Sequence, residues 1–281
     1  MQIFVNEKAV KNRIDFLKSR GKKIGFVPTM GALHQGHISL IEQSKNDCDI
    51  TVCSIFVNPT QFNNKEDLIK YPRTIEQDIE KLKKSGVDIL FKPTEKVIYP
   101  VGMDLSVEID LEGLDKKWEG KFRPGHFKGV VQVVKRLLDI VRPDCLFMGQ
   151  KDFQQFTIID MMLRKLDIKT KLVVVPIYRE KDGLAMSSRN VRLSPSFRQK
   201  SLVLSEMLKY AKENYGKIPV SEIEEIAIEK ISEKGLKPEY FKIINGNTLD
   251  PISDNNTQYA VAIVAAWAGD VRLIDNMIIK K

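Results

Sequence analysis

Five stretches of the chain are apolar at almost every position: IGFVP (24–28), ITVCSIFVN (50–58), DILFKP (88–93), DCLFMG (144–149) and KLVVVPI (171–177). Successive side chains of a strand point to opposite faces, so a run without polar alternation needs cover on both faces. The intervening segments supply that cover. ISLIEQSKN, IEQDIEKLKKSG (75–86), VVQVVKRLLDIV (130–141) and DFQQFTIIDMMLRKL (152–166) carry apolar residues at helical spacing, and the second stops at a glycine. Helices alternating with doubly buried strands predict a parallel, doubly wound α/β sheet.

The pattern changes after residue 177. Ser194-Pro195 predicts the start of a long helix, and Ser221-x-x-Glu224 reads as a capping box opening another that ends at Gly235. YFKII, YAVAIVAAWA and VRLIDNMII then predict a small antiparallel sheet. Two domains are expected: a Rossmann-like nucleotide-binding domain over 1–177 and a smaller α+β domain over 178–281, joined through REKDGLAMSSRN (179–190). A chain of 281 residues is long enough for both cores.

Composition narrows the class. A content of 43% hydrophobic and 29% charged residues belongs to a globular protein in water. No apolar run has the length of a membrane span, and MQIFVNEKAV lacks the order of a signal peptide, so a cytoplasmic protein without a membrane partner is expected. Cys48, Cys53 and Cys145 are odd in number and without C-x-x-C spacing, which argues for core packing rather than disulfides or zinc. The net charge is +8, with lysines outnumbering arginines 33 to 12 and dispersed among acidic residues. Nucleic-acid surfaces cluster arginine and interleave aromatics, so this excess reads as a lysine-rich surface with a modest attraction for small anions.

Ligands of an open parallel sheet bind beyond the carboxyl ends of its strands. Unusual residues follow four of the predicted strands. His34 and His37 follow the first; Asn58, Pro59, Gln61 and Phe62 the second; Gly149, Lys151, Asp152 and Gln155 follow DCLFMG; Arg179, Asp182, Ser187, Ser188 and Arg189 follow KLVVVPI. In PTMGALHQGH (28–37), Gly31 permits a tight turn, and Gly36 opens a helix without a Cβ, where a phosphate can approach free N–H groups. His34 and His37, at i and i+3, can both address that phosphate. H-x-G-H alone fits a helix cap as well as an anion site; the length of the motif favours the anion site. No further Cys or His remains to complete a metal site. GLAMSSRN offers two hydroxyls and a guanidinium suited to phosphate, yet alone it reads as a polar hinge with a cap.

PTMGALHQGHISL, SIFVNPTQF, YPRT, EGKFRPGHFKGV, MGQKDFQQ and DGLAMSSRN run in this order from residue 28 to 190, and RLIDN closes the set at 272–276. Together they closely resemble the motifs of the pantoate–β-alanine ligase family. That family is a branch of the adenylate-forming nucleotidyltransferase superfamily, to which class I aminoacyl-tRNA synthetases also belong. Gln132 stands where the family often has threonine, and Tyr178 where a smaller side chain is usual; neither position looks chemical. The resemblance implies ATP-dependent condensation of pantoate with β-alanine through a pantoyl adenylate, releasing pyrophosphate and AMP. It implies ATP contacts from Met30, Gly31, Ala32, Leu33, His34, Gln35, Gly36 and His37, from Gly149, Gln150, Lys151 and Asp152, and from Tyr178, Met186, Ser187, Ser188 and Arg189. His37 would be the proton donor, with His34 and Lys151 as further catalytic groups. Gln61 and Gln155 would hold pantoate, and Gln61 also β-alanine. Magnesium should accompany ATP, with Asp78 a candidate ligand and the metal site otherwise unassigned. A homodimer with small-molecule substrates and no nucleic acid is implied. NNKEDLIKYPRT (63–74) is long and polar enough for a lid over a water-sensitive adenylate. Two rivals are a cytidylyltransferase of the same superfamily and a basic RNA-binding module. The glutamine pair and MGQKDFQQ argue against the first, and the lack of arrayed stacking aromatics against the second.

Overall fold

The computed structural model describes residues 1–281. The chain forms two compact units, Met1–Gly149 with Gln155–Pro176, and Gln150–Gln154 with Ile177–Lys281. They differ from a simple division at 177 in that the five residues after the strand DCLFMG group with the C-terminal part.

The first unit contains β1 (Gln2–Phe4), α1 (Glu7–Ser19), β2 (Ile24–Thr29), α2 (Gln35–Asp47), β3 (Ile50–Ile55), α3 (Lys65–Lys70), α4 (Ile75–Lys84), β4 (Ile89–Phe91), α5 (Glu95–Ile98), α6 (Trp118–Phe122), α7 (His126–Val141), β5 (Cys145–Gly149), α8 (Phe153–Lys165, whose first residues belong to the other unit) and β6 (Lys171–Val175). The sheet order is β1-β4-β3-β2-β5-β6, with every neighbour parallel. Val27, Cys53, Leu90 and Phe147 pack with Leu40 and Ile41 of α2 and Leu82 of α4. Phe26, Val52 and Leu146, the alternate positions, are equally buried, and α7 packs on β2 and on α1. Double burial holds for β2 to β5. It does not hold for β6, an edge strand in which Val174 is exposed despite its unbroken apolar run. β1 and α1 carried no sequence prediction; three strand residues give no period to read, and Asn6 caps the helix by accepting from Ala9 N at 3.1 Å.

Strand order positions the site. β3 lies on one side of β2 and β5 on the other, so the direction of winding reverses between β2 and β5. β2 pairs with β3 over six residues, through Thr29–Ile55, but with β5 only at Gly25–Cys145 and Phe26–Leu146. The parting strands leave a crevice beyond their carboxyl ends, the place where open α/β sheets take ligands. α2 can lie close to β2 because Gly25 has no side chain: a Cβ there would stand 2.2 Å from Ser44 Oγ. The three cysteines are free, and burial pushes the Cys48 and Cys53 thiols up to about 12, which suits inert packing; Cys48 stands at the C-cap of α2.

The second unit holds α9 (Pro195–Lys200), α10 (Leu202–Asn214), α11 (Val220–Glu233) and an antiparallel sheet of β7 (Lys237–Asn245), β8 (Ala260–Ala268) and β9 (Val271–Lys280). Leu204, Leu208, Ile223 and Ile231 pack on Phe241, Ile243, Val264 and Leu273 to form its core. The long helix expected from Ser194 is two helices. Ser201, fully buried, turns its hydroxyl back onto Phe197 O at 2.6 Å and ends α9 there. The expected capping box at Ser221 does not form. Pro219 stands at the N-cap, and Glu224 instead accepts from Ile243 N at 2.9 Å and pairs with Lys242, tying α11 to β7. No helix is long and apolar enough to cross a membrane.

Candidate active site

The loop Met30–His34 leaves β2 and enters α2 at the crevice. Gly31 has φ +81° and Ala32 φ +49°, so two successive residues are left-handed, one of them not glycine. α4 holds this bend. Asp78, 1% exposed, accepts from Ala32 N and Leu33 N at 2.8 Å each and from Thr74 Oγ1 at 3.2 Å, while Lys81 Nζ donates to Leu33 O at 2.6 Å. Asp78 is therefore the anchor of the histidine loop. Its two oxygens are committed to the backbone amides of Ala32 and Leu33, and no cluster of three or more His, Cys, Asp or Glu gathers around them.

His34 is the N-cap of α2, and its Nδ1 accepts from Gly36 N at 3.1 Å; His37 Nδ1 accepts from His34 N at 3.2 Å. This is a capping box made of two imidazoles, in place of the usual hydroxyl and carboxamide or carboxylate. A nitrogen that accepts from a backbone N–H carries no proton, so each neutral ring bears its hydrogen on Nε2. The rings lie 4.1 Å apart. Cap and donor are thus different atoms of the same side chains. The helix begins at Gln35, one residue before the glycine expected to open it.

The second loop, after β3, is a 3₁₀ turn at Pro59–Gln61 built around Asn58, which is 1% exposed. The Asn58 amide spends all its capacity. Nδ2 donates to Gln61 Oε1 and Gly129 O, both at 3.2 Å, and Oδ1 accepts from Tyr99 OH at 2.7 Å and Thr60 Oγ1 at 3.1 Å. Burial pushes the Tyr99 phenol up, despite the bonds to Thr60 and Asn58 that pull it down, so it stays a donor. Because Oε1 of Gln61 faces Asn58, its amide nitrogen faces the histidine loop, where Nε2 lies 2.9 Å from Met30 Sδ. A thioether is a weak acceptor. A carboxylate would displace it readily.

α7 fixes the backbone of the same turn. His126 Nε2 lies 3.0 Å from Arg123 NH1, which can only donate, so Nδ1 carries the proton and donates to Gln61 O at 2.8 Å. Arg123 in turn faces Glu119 at 3.7 Å. Gly129 permits the approach: a Cβ there would stand 2.4 Å from Thr60 O. EGKFRPGHFKGV is thus the support of the Gln61 turn. Sequence reasoning missed His126, Arg123 and Gly129 as part of the site; the signal was a third histidine and a glycine four residues into a helix-forming run. Gln155 is half-buried in the first turn of α8. NNKEDLIKYPRT, expected to be a lid, contains the short helix α3, capped by Asn64 through Glu66 N at 2.8 Å.

In the second unit, Gln150, Lys151 and Asp152 form the turn that leads into α8. Tyr178–Met186 is a hairpin, closed by Met186 N to Tyr178 O at 3.0 Å and Glu180 N to Leu184 O at 2.8 Å. It is stapled from outside: Arg198 pairs with Glu180 at 2.7 Å, and Asn190 Nδ2 donates to Ala185 O at 3.1 Å. Ser187 caps the following 3₁₀ helix, Ser188–Arg192, by accepting from Arg189 N at 3.3 Å. GLAMSSRN, which read alone suggests a polar hinge with a cap, is the second arm of a hydrogen-bonded hairpin followed by a 3₁₀ helix that Ser187 caps.

A doubly wound parallel sheet whose switch crevice holds a helix N-terminus and two imidazole donors is the architecture of a nucleotide-binding α/β enzyme. The family model described as Pantoate-beta-alanine ligase matches residues 2–278, and the chain belongs to that family. It is 44% identical over 279 residues to the pantothenate synthetase of Bacteroides thetaiotaomicron, covering 99% of this chain and 98% of that one. Among solved structures, a pantothenate synthetase from Thermus thermophilus superposes with a TM-score of 0.93 at 38% identity, covering both chains completely. The Francisella tularensis pantoate–β-alanine ligase, complexed with beta-gamma ATP and β-alanine, superposes with a TM-score of 0.84 at 39% identity, over 99% of this chain and 97% of that one.

Proposed function

We propose that this ATP-dependent ligase condenses pantoate with β-alanine to pantothenate in two steps. In the first, a pantoate carboxylate oxygen attacks the α-phosphorus of ATP, the bond to the β-phosphate breaks, and pyrophosphate leaves. In the second, the β-alanine amine attacks the carbonyl of the pantoyl adenylate, the C–O bond to phosphate breaks, AMP leaves, and the ammonium loses a proton. Family membership supports the reaction. The observation that carries the roles is the double imidazole cap at the N-terminus of α2, in which Nδ1 of each ring accepts a backbone N–H, leaving Nε2 as the nitrogen that can donate.

Negative charge shifts onto the leaving pyrophosphate in the first step, and donors already in place stabilise it without reorganisation. We assign that task to Nε2–H of His34 and His37, to Lys151 and to Ser187, Ser188 and Arg189. Met30–Gly36, Gly149, Gln150, Asp152, Tyr178 and Met186 complete the proposed ATP contacts. Gln61 and Gln155 hold pantoate. A neutral amide suits the nucleophile, because it orients the carboxylate without neutralising its charge as arginine would. Magnesium enters with ATP as part of the substrate, held chiefly by the phosphates and water.

A quenched single turnover with MgATP and pantoate alone tests the order. About one pyrophosphate per active site is expected without β-alanine. Strict dependence of pyrophosphate release on the amine would exclude a free-standing adenylate.

A further inference from the structure

Asp275 and Asn276 stand side by side in β9, 5% and 2% exposed, and the reaction proposed above uses neither. Polar side chains this deep persist where their donors and acceptors are spent, so where they are spent is informative. Asn276 Nδ2 donates to the backbone carbonyls of Gln150 at 3.0 Å and Lys151 at 2.8 Å, and Oδ1 accepts from Gln150 Nε2 at 3.1 Å. Both amide hydrogens and the amide oxygen therefore go to one dipeptide, the turn from which the Lys151 side chain departs. Asp275 grips the guanidinium of Arg179 with both oxygens, Oδ2 to NH1 at 2.6 Å and Oδ1 to NH2 at 3.0 Å. The same guanidinium donates onward to Gly183 O at 3.1 Å and to Asn276 O at 3.2 Å. Arg179 thus pins the tip of the hairpin that leads into Ser187–Arg189. Burial pushes the Asp275 carboxyl up, against the pull of Arg179, the Asn276 N–H and the Lys151 ammonium.

Successive side chains of a strand diverge, so two neighbouring residues can govern two separate segments. We propose that Asn276 and Asp275 are positioning residues for ATP: Asn276 sets the Lys151 turn, and Asp275, through Arg179, sets the hairpin before Ser187–Arg189. The proposal rests on the assignment of those segments to ATP. It adds that a buried pair on the last strand holds them, in a motif, RLIDN, whose side chains touch no substrate in the reaction as written.

Double-mutant cycles test it on the full chain. Asn276→Ala should slow single-turnover pyrophosphate release and raise the KM for ATP, with a loss of about ten- to a hundredfold, the scale of an ångström-level misplacement. The KM for pantoate should rise less than that for ATP, because Gln61 is held by Asn58 and α7 and not by this turn. In a Lys151→Ala background the same substitution should cost little more, since the group it positions is already gone. Asn276→Ser, which keeps a hydroxyl donor for one carbonyl, should recover part of the loss and covers the case in which the alanine variant does not fold. The cycle of Asp275→Asn with Arg189→Ala should be non-additive in the same way. Additive losses, or equal rises in KM for all three substrates, would reduce the pair to general stability and overturn the proposal. If Lys151→Ala itself leaves pyrophosphate release unchanged, the ATP assignment fails, and that result is visible separately in the single variant.

Discussion

Nδ1 of His34 and of His37 accepts a backbone N–H, and Nε2 carries the hydrogen. The sequence posed helix cap and phosphate site as alternatives. The two are compatible because an imidazole has two nitrogens of opposite character, and which one caps is set by backbone geometry that no residue spacing encodes. The two roles separate by substitution. Asn is an effective N-cap, so His34→Asn keeps an oxygen for Gly36 N but has no Nε2–H. His34→Ala loses both. We expect His34→Ala to lower unfolding free energy by about 0.5–2 kcal/mol and His34→Asn to leave it near wild type. Both should slow adenylation by about two to three orders of magnitude, the usual cost of one preorganised donor. Denaturant unfolding and rapid-quench pyrophosphate release measure the two quantities. An asparagine variant with full adenylation rate would confine His34 to capping. Asp78 carries the parallel lesson: its acidity suggested a metal ligand, whereas its burial among the amides of Ala32 and Leu33 makes it a loop anchor.

α7 meets the Gln61 turn through His126, the Gly129 carbonyl and the missing side chain of Gly129. EGKFRPGHFKGV was legible as a motif but not as a support, because contacts between residues 71 apart in the chain are set by tertiary packing and leave no local period. Gly129→Ala tests the element. Its Cβ would meet Thr60 O at 2.4 Å and Gln61 N at 2.8 Å, both backbone atoms that cannot rotate away. The helix or the turn must move, at a cost of about 1–3 kcal/mol in stability. If Gln61 holds pantoate, the displaced turn raises the KM for pantoate well above any change in the KM for ATP. Steady-state kinetics with each substrate varied will show it. A stability loss with an unchanged pantoate KM would mean that the turn tolerates the shift and that Gln61 does not depend on α7 for its placement.

At the scale of the molecule, the parallel sheet was readable because β2, β3, β4 and β5 are buried on both faces, and burial of that kind writes an unbroken apolar run. The same run in β6 misled, since an edge strand can be equally apolar; the order of strands, and hence the crevice, came only with the structure. The split of α9 from α10 and the absent cap at Ser221 escaped for a related reason, since Ser201 and Glu224 bond to partners chosen by packing. The net charge of +8 is the one whole-molecule property with a direct functional consequence. A positive field attracts each substrate in proportion to its charge, and salt screens that attraction over a distance of about 8 Å at physiological ionic strength. MgATP carries about two net negative charges near neutral pH, pantoate about one, and β-alanine, a zwitterion, roughly none. Raising ionic strength at constant magnesium should therefore raise the KM for ATP most, that for pantoate less, and that for β-alanine least. Initial rates with each substrate varied over a salt series measure the three slopes. Equal slopes would show that the dispersed lysines exert no net pull at the site. A steeper slope for β-alanine than for ATP would mean that the local field beyond the sheet is not positive, which would count against the phosphate-binding roles given to His34, His37, Lys151 and Arg189 together.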